Sequence, residues 1–222
     1  MIDLRLGPWQ YCLDDVDEVD AAIVDAPFSA KVHRGNTNIP GSRTTPLGYG
    51  AMDEARIRAW VQHWSPRVRG WVVQMTSHDL YPVWADHLAD AGRYVFPPIP
   101  VIDRGMAVRR RGDGPSSWTV WLCCARPRTD TMARWGTLPG CYEREPGDPR
   151  SKRRGGKPLG VMRRIVRDYS REGALVLDTH AGHGTTLRAA ALEGRGGVGA
   201  EICATTWSEA QELLAVESAA GF

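Results

Sequence analysis

The last third of the chain constrains the fold most. Ala174-Leu175-Val176-Leu177-Asp178 is an apolar run ending on an acid, which reads as a buried strand. Thr179 to Gly184 supplies two glycines, Thr185 to Leu192 reads as a helix closed by Gly194, and Gly197-Val198-Gly199-Ala200-Glu201-Ile202 reads as a second strand. A strand, a glycine loop, a helix and another strand make a parallel unit. Such units build a doubly wound α/β sheet with helices on both faces.

The glycine loop, Asp178-Thr179-His180-Ala181-Gly182-His183-Gly184-Thr185-Thr186, lets backbone N–H groups approach a ligand at the N-terminus of the helix. It lacks the Gly-Lys-Ser/Thr of a nucleotide P-loop and the third glycine of a dinucleotide fingerprint. Glu201 ends the second strand at close to the ~20-residue separation at which an acid reaches ribose hydroxyls. The unit is therefore expected to bind a ligand that carries adenosine.

The rest of the chain reads less regularly. Asp20 to Asp25 is a small apolar run delivering an acid to a sheet edge just before Pro27. Ser29 to Gly50 is rich in Gly, Asn, Thr, Pro and Ser, and a structureless stretch of that length in a compact domain is usually functional. Asp53 to Trp64 and Tyr81 to Ala91 read as helices, Gly70 to Met75 and Trp118 to Cys124 as strands, and Leu159 to Ser170 as a basic helix. Three prolines in Val95 to Ile102 suit an edge strand or a loop. Arg126 to Gly156 reads as a linker or recognition segment.

With 222 residues, one domain spanning 1–222 is expected rather than two. No apolar run of about 18 residues is present, as a membrane span would need, and Met1-Ile2-Asp3-Leu4-Arg5 is unlike a signal peptide. A cytoplasmic protein is expected. The five cysteines include no Cys-x-x-Cys and leave one over in any disulfide scheme, so buried reduced thiols are expected and zinc is not. The net charge is only +2, but Arg109-Arg110-Arg111 and Arg150 to Arg154 are basic runs, and Lys31, His33, Arg34 and Arg43 populate one loop. Of the nine tryptophans, Trp60, Trp64, Trp71 and Trp121 fall at core positions of the expected helices and strands.

Lys157-Pro158-Leu159, the basic helix after it, and Val176 to Thr186 together resemble the signature of the S-adenosylmethionine-dependent DNA amino-methyltransferases. That family carries K-P-L, then V-L-D-P-F-A-G-S-G-T-T and a G-I-E strand, with a D-P-P-Y/F catalytic loop elsewhere. Here that loop is Asp25-Ala26-Pro27-Phe28, and its place ahead of the cofactor motif resembles the permuted β class. The resemblance implies a Rossmann-like methyltransferase fold that is mostly parallel.

It also implies roles. The Asp25 side chain and the Ala26 carbonyl would accept hydrogen bonds from an exocyclic base amine, Pro27 would stiffen the turn, and Phe28 would stack on the flipped base. Lys157, Pro158, Asp178, Thr179, His180, Ala181, Gly182, Gly184, Thr185 and Thr186 would hold S-adenosylmethionine around its methionine portion. Glu201 would take the ribose hydroxyls, and Ile202 the adenine face. Lys31, His33, Arg34 and Arg43 would meet phosphates of double-stranded DNA, within a contact loop spanning residues 29–50.

Asp rather than Ser at the first loop position favours adenine N6 over cytosine N4. The segment 128–156 is short for target recognition, so a short site, a partner or a second copy of the chain is implied. Ala26 in place of Pro, and Thr179-His180 in place of Pro-Phe, depart from the family pattern. They leave a degenerate, non-catalytic S-adenosylmethionine- and DNA-binding module as one alternative, and a nicotinamide-dependent oxidoreductase on the same glycine loop as another.

Overall fold

The computed structural model describes residues 1–32, 50–107, 117–129, 135–148 and 156–219. Its strands are β1 (Ile2–Leu6), β2 (Ala21–Asp25), β3 (Val72–Thr76), β4 (Tyr94–Val95), β5 (Ile99–Ala107), β6 (Ser117–Arg126), β7 (Tyr142–Glu143), β8 (Leu175–Asp178) and β9 (Gly196–Glu201). They form one sheet in the order β1-β9-β8-β2-β3-β6-β5-β7, with β4 also paired to β6. From β1 through β3 every neighbour is parallel. β6 then runs antiparallel to both β3 and β5. The expected mostly parallel, doubly wound sheet is present.

Alternation along the central strands builds a core on each face. Ala22, Val24 and Val72 join Trp60, Trp64, Trp84 and Leu88 on one side. These come from α2 (Glu54–Trp64) and α3 (Tyr81–Asp90). The short α1 (Trp9–Cys12) adds Trp9 to the same side. Ile23, Val73, Met75 and Val176 point the other way, onto Val161, Met162, Ile165 and Tyr169 of α4 (Leu159–Tyr169) and Ala189 and Ala190 of α5 (Thr185–Leu192). Both faces of these strands are covered, which is why they read as continuous apolar runs. α6 (Ala204–Ala219) packs Ala210 and Leu214 on Leu4 and Leu187, and its Trp207 Nε1 and Gln211 Nε2 both donate to the Leu4 carbonyl, at 3.0 and 3.1 Å.

Several expectations about the middle of the chain are corrected. The stretch Val95 to Ile102 is irregular at 96–98 and open-edged at Ile99 and Pro100, as expected, and only its end, Val101 and Ile102, lies inside the sheet between β6 and β7. Pro100 is tolerated there since β7 covers only Val101 and Ile102, leaving the proline beyond the covered stretch. The segment read as a linker contains β7 and is tied to α4. Trp135 Nε1 donates to the Asp168 carbonyl, and the Tyr142 hydroxyl to Asp168 Oδ2, both at 2.6 Å. Trp60, Trp64 and Trp71 are buried as expected, while Trp121 is only partly so. All five thiols are free, but only Cys123 and Cys124 are buried, and Cys141 is exposed. Arg109 to Arg111 and Arg150 to Arg154 lie outside the described residues.

Candidate active site

Parallel pairing in register brings three acids to one edge of the sheet. Asp25 ends β2, Asp178 ends the neighbouring β8, and Glu201 ends β9 beyond it. In doubly wound sheets the crevice outside the carboxyl ends of the strands is where ligands bind. Two surface cavities of about 450 and 440 Å³ lie away from this edge. The first is bounded by Asp20, Gly70 and Ala174, at the opposite ends of the same strands.

The loop after β2 is held at both ends. Ala26 is buried, while Pro27 and Phe28 are partly exposed. The Met52 N–H donates to the Phe28 carbonyl at 3.1 Å. The Ser29 hydroxyl donates to Asp79 Oδ2 at 2.6 Å and accepts from the Val32 N–H. Burial would raise the Asp79 pKa, but polar contacts led by the hydrogen bond from Ser29 outweigh it and hold the carboxyl below its ordinary value. The sequence gives no sign of this clamp beyond an acid placed just after β3. Lys31 is exposed beside it, and His33, Arg34 and Arg43 lie outside the described residues.

The glycine loop has the open geometry expected of it. Gly182 and Gly184 take φ of +53° and +72°, and a Cβ on Gly182 would meet no atom within 4 Å. The Gly182 N–H donates to Glu201 Oε2 at 2.9 Å, and the Cys203 N–H to Glu201 Oε1 at 2.7 Å, so the acid is oriented with lone pairs to spare. Ile202, next along, leaves 54% of its surface open. Thr185 is partly exposed at the start of α5, Thr186 is buried, and Ala181 is buried against Leu187.

Thr179 and His180 occupy the positions where the family pattern has Pro-Phe, and a packed aromatic is replaced by a hydrogen-bonded chain. Trp60 Nε1 donates to Thr179 Oγ1 at 2.8 Å, and Thr179 Oγ1 lies 3.0 Å from His180 Nδ1. Burial lowers the His180 pKa to about 4, with Arg56 contributing, so the ring is neutral at physiological pH. Asp178 moves the opposite way. Burial pushes it up to about 7 against hydrogen bonds from Thr186 and the His180 N–H, and the charges of Asp25 and Glu201 push in the same direction as burial.

Lys157 is the residue whose placement was not anticipated. Its ammonium, 5% exposed, donates to Asp25 Oδ2 at 2.5 Å and stands 5.4 Å from the centroid of Phe28. Pro158 behind it is buried. Among the described residues no group of His, Cys, Asp and Glu is placed to hold a metal ion, and no helix is long and apolar enough to cross a membrane.

Strand order, helices on both faces and acids at successive strand ends define a Rossmann-like methyltransferase fold. The family model described as DNA methylase, covering N6-adenine and N4-cytosine enzymes, matches residues 83–212, more than half of the chain, and the chain belongs to that family. No curated protein matches it. Among solved structures, the M1.HpyAVI complex with S-adenosylmethionine is 20% identical, with a TM-score of 0.72, over 96% of this chain and 99% of that one. TTHA0409, described as a putative DNA modification methylase from Thermus thermophilus complexed with S-adenosyl-L-methionine, is 20% identical with a TM-score of 0.67, over 98% and 94%. The cytosine-N4-specific PvuII DNA methyltransferase is 12% identical with a TM-score of 0.64, over 95% and 85%. At these identities the likeness establishes the fold.

Proposed function

We propose that the chain transfers a methyl group from S-adenosylmethionine to the N6 amine of adenine in double-stranded DNA. The observation that carries this reading is the position of Asp25, one strand from the glycine loop and two from Glu201, with Phe28 beside it. When bound, the cofactor supplies an electrophilic sulfonium methyl. The open space over Gly182, the oriented carboxylate of Glu201 and the exposed Ile202 fit its amino-acid end, ribose and adenine in turn. Gly184, Thr185, Thr186, Asp178, Thr179, His180 and Ala181 shape the loop that holds it.

The acceptor chemistry falls to the first motif. An exocyclic amine is a poor nucleophile because its lone pair is delocalised into the ring. Asp25 accepts from one N–H and the Ala26 carbonyl from the other, which favours a tetrahedral nitrogen and aims its lone pair at the methyl. Phe28 stacks on the flipped base and Pro27 fixes the turn. Lys31, exposed just after this loop, would meet the phosphates. Asp25, in the position where cytosine-N4 enzymes usually carry Ser, supports adenine.

The test is methyl transfer to DNA of mixed sequence, followed by nucleoside mass spectrometry. N6-methyladenine is expected, and Asp25→Ala should lower the rate by about 10²–10³ or more. Phe28→Ala should also lower the rate. N4-methylcytosine as the sole product overturns the adenine assignment, and a fully active Asp25→Ala protein overturns the mechanism.

A further inference from the structure

The catalytic loop is anchored differently at its two ends. Its entry is fixed by the sheet, since Asp25 pairs with Met75 across β2 and β3. Phe28 is only partly buried, so the backbone that carries it decides where the ring lies. Two contacts from different elements hold that backbone at its exit. The Met52 N–H, just ahead of α2, donates to the Phe28 carbonyl at 3.1 Å. The Ser29 hydroxyl reaches Asp79, 50 residues away, at 2.6 Å.

Asp79 is a firm anchor. It sits in the turn that joins β3 to α3, where the Leu80 and Tyr81 N–H groups both donate to the Ser77 carbonyl, at 3.2 and 3.0 Å. A carboxylate only accepts, so the Ser29 proton has one destination. The 2.6 Å separation is that of a charge-assisted O–H···O⁻ bond, roughly twice as strong as a neutral one. With its proton committed, the Ser29 oxygen turns a lone pair to the Val32 N–H, 3.2 Å away, and caps the helical turn that opens at Ala30. One carboxylate therefore sets both the side-chain rotamer of Ser29 and the direction in which the chain leaves Phe28.

Resting on the proposed function, we infer that Asp79 is a positioning residue for methyl transfer. Through the Ser29 hydroxyl it fixes the exit of the catalytic loop, and with it the place of the Phe28 ring against the flipped base. A displacement of about 1 Å in such a group lowers a rate by about a hundredfold. The cofactor site at the ends of β8 and β9 is built without Asp79, so binding of the methyl donor is independent of it.

Kinetics and hydrogen exchange test this together. Asp79→Ala should lower kcat for methyl transfer to mixed-sequence DNA by about tenfold or more, while its affinity for S-adenosylhomocysteine keeps the natural value. Ser29→Ala should do the same, and the double variant should lose no more than Ser29→Ala alone. Asp79→Asn keeps an oxygen for the hydroxyl and should recover most of the rate. Without DNA, the Met52 and Val32 amides of Asp79→Ala should exchange about tenfold faster, with β2 and β3 as protected as before. General weakening of the fold would speed exchange in those strands as well.

A natural kcat in Asp79→Ala, additive losses in the double variant, or an Asp79→Asn protein no better than Asp79→Ala overturns the inference. So does exchange that is unchanged at Met52 and Val32, or that rises equally across β2 and β3. Should Asp79→Ala fail to fold, Ser29→Ala decides, judged by its kcat and by exchange at Met52. Natural protein that transfers no methyl group to DNA refutes the proposed function, and the exchange comparison then still decides whether Asp79 holds the loop.

Discussion

At the scale of single residues, the pKa values of Asp178 and His180 are displaced in opposite directions by the same burial. Asp178 titrates near 7 in the folded protein, against about 3.9 for an ordinary aspartate. Its native state therefore holds a proton that the unfolded chain releases. The resulting stability is complete below about pH 4 and is lost as pH rises through about 7. His180, at about 4, contributes stability above about pH 6.5 that is lost as pH falls through its folded value. Their slopes oppose each other, so the wild-type curve hides both. Urea unfolding of Asp178→Asn beside the natural protein separates them, because His180 cancels in the difference. The substitution should stabilise by on the order of 2 kcal/mol at pH 8, and the gain should shrink toward pH 4. A difference independent of pH would show that Asp178 carries its charge when folded. Asp25, the glycine loop and Glu201 were legible in the sequence because local residue type and spacing define them. The Lys157–Asp25 pair was not, since it joins residues 132 positions apart, and no local pattern reports such a contact.

At the scale of elements, the sequence showed β2, β3, β6, β8, β9 and α2 to α5 because each is either a continuous apolar run or a helix with clear end signals. α5 has the bounds expected of it, and α2 starts one residue late, after Asp53 caps it by accepting from the Arg56 N–H at 2.9 Å. β1 and α6 escaped notice. β1 carries Asp3 and Arg5 between its apolar residues and is covered mainly through Leu4, while α6 spreads alanines and polar residues around its circumference without a marked apolar stripe. β7 has two residues and exists only because β5 is there to pair with it. The glycines of β9 follow from close packing rather than turn chemistry. A Cβ on Gly199 would lie 2.7 Å from the Asp178 carbonyl oxygen and 3.0 Å from Leu187 Cδ1. The backbone oxygen cannot yield without moving β8. Gly199→Ala should therefore cost about 1–3 kcal/mol in urea or thermal unfolding and weaken cofactor binding, because Asp178 and Ala181 belong to the loop it displaces. A substitution without effect on either would mean that β8 and α5 separate freely, contrary to the tight packing of this unit.

At the scale of the whole molecule, the site is assembled from two distant parts of the chain by strand order. β1 and β2 are consecutive in sequence, yet β9 and β8 lie between them in the sheet. The last two strands thus insert between the first two. Asp25 acquires its neighbours only when the C-terminal third is in place, so the edge bearing Asp25, Asp178 and Glu201 forms with the complete sheet. The adjacent cysteines of β6 report on that completeness. Cys123 points into the core under α2 and α3, and Cys124 into the core under α4 and α5, both with no exposed surface. Burial pushes both thiols above their ordinary pKa, which leaves little reactive thiolate on either. Exposed Cys141 should react first with a thiol reagent, followed by partly exposed Cys12 and Cys203. Cys123 and Cys124 should react only through opening of the whole sheet, at one shared rate. A saturating cofactor analogue should slow that shared rate by mass action on the native state, although the ligand contacts neither thiol. Reaction of Cys123 at a faster rate than Cys124 would show that one helical layer opens without the other. The sheet would then not be a single cooperative unit, and the acids at its edge could be held in place while half of the protein is open.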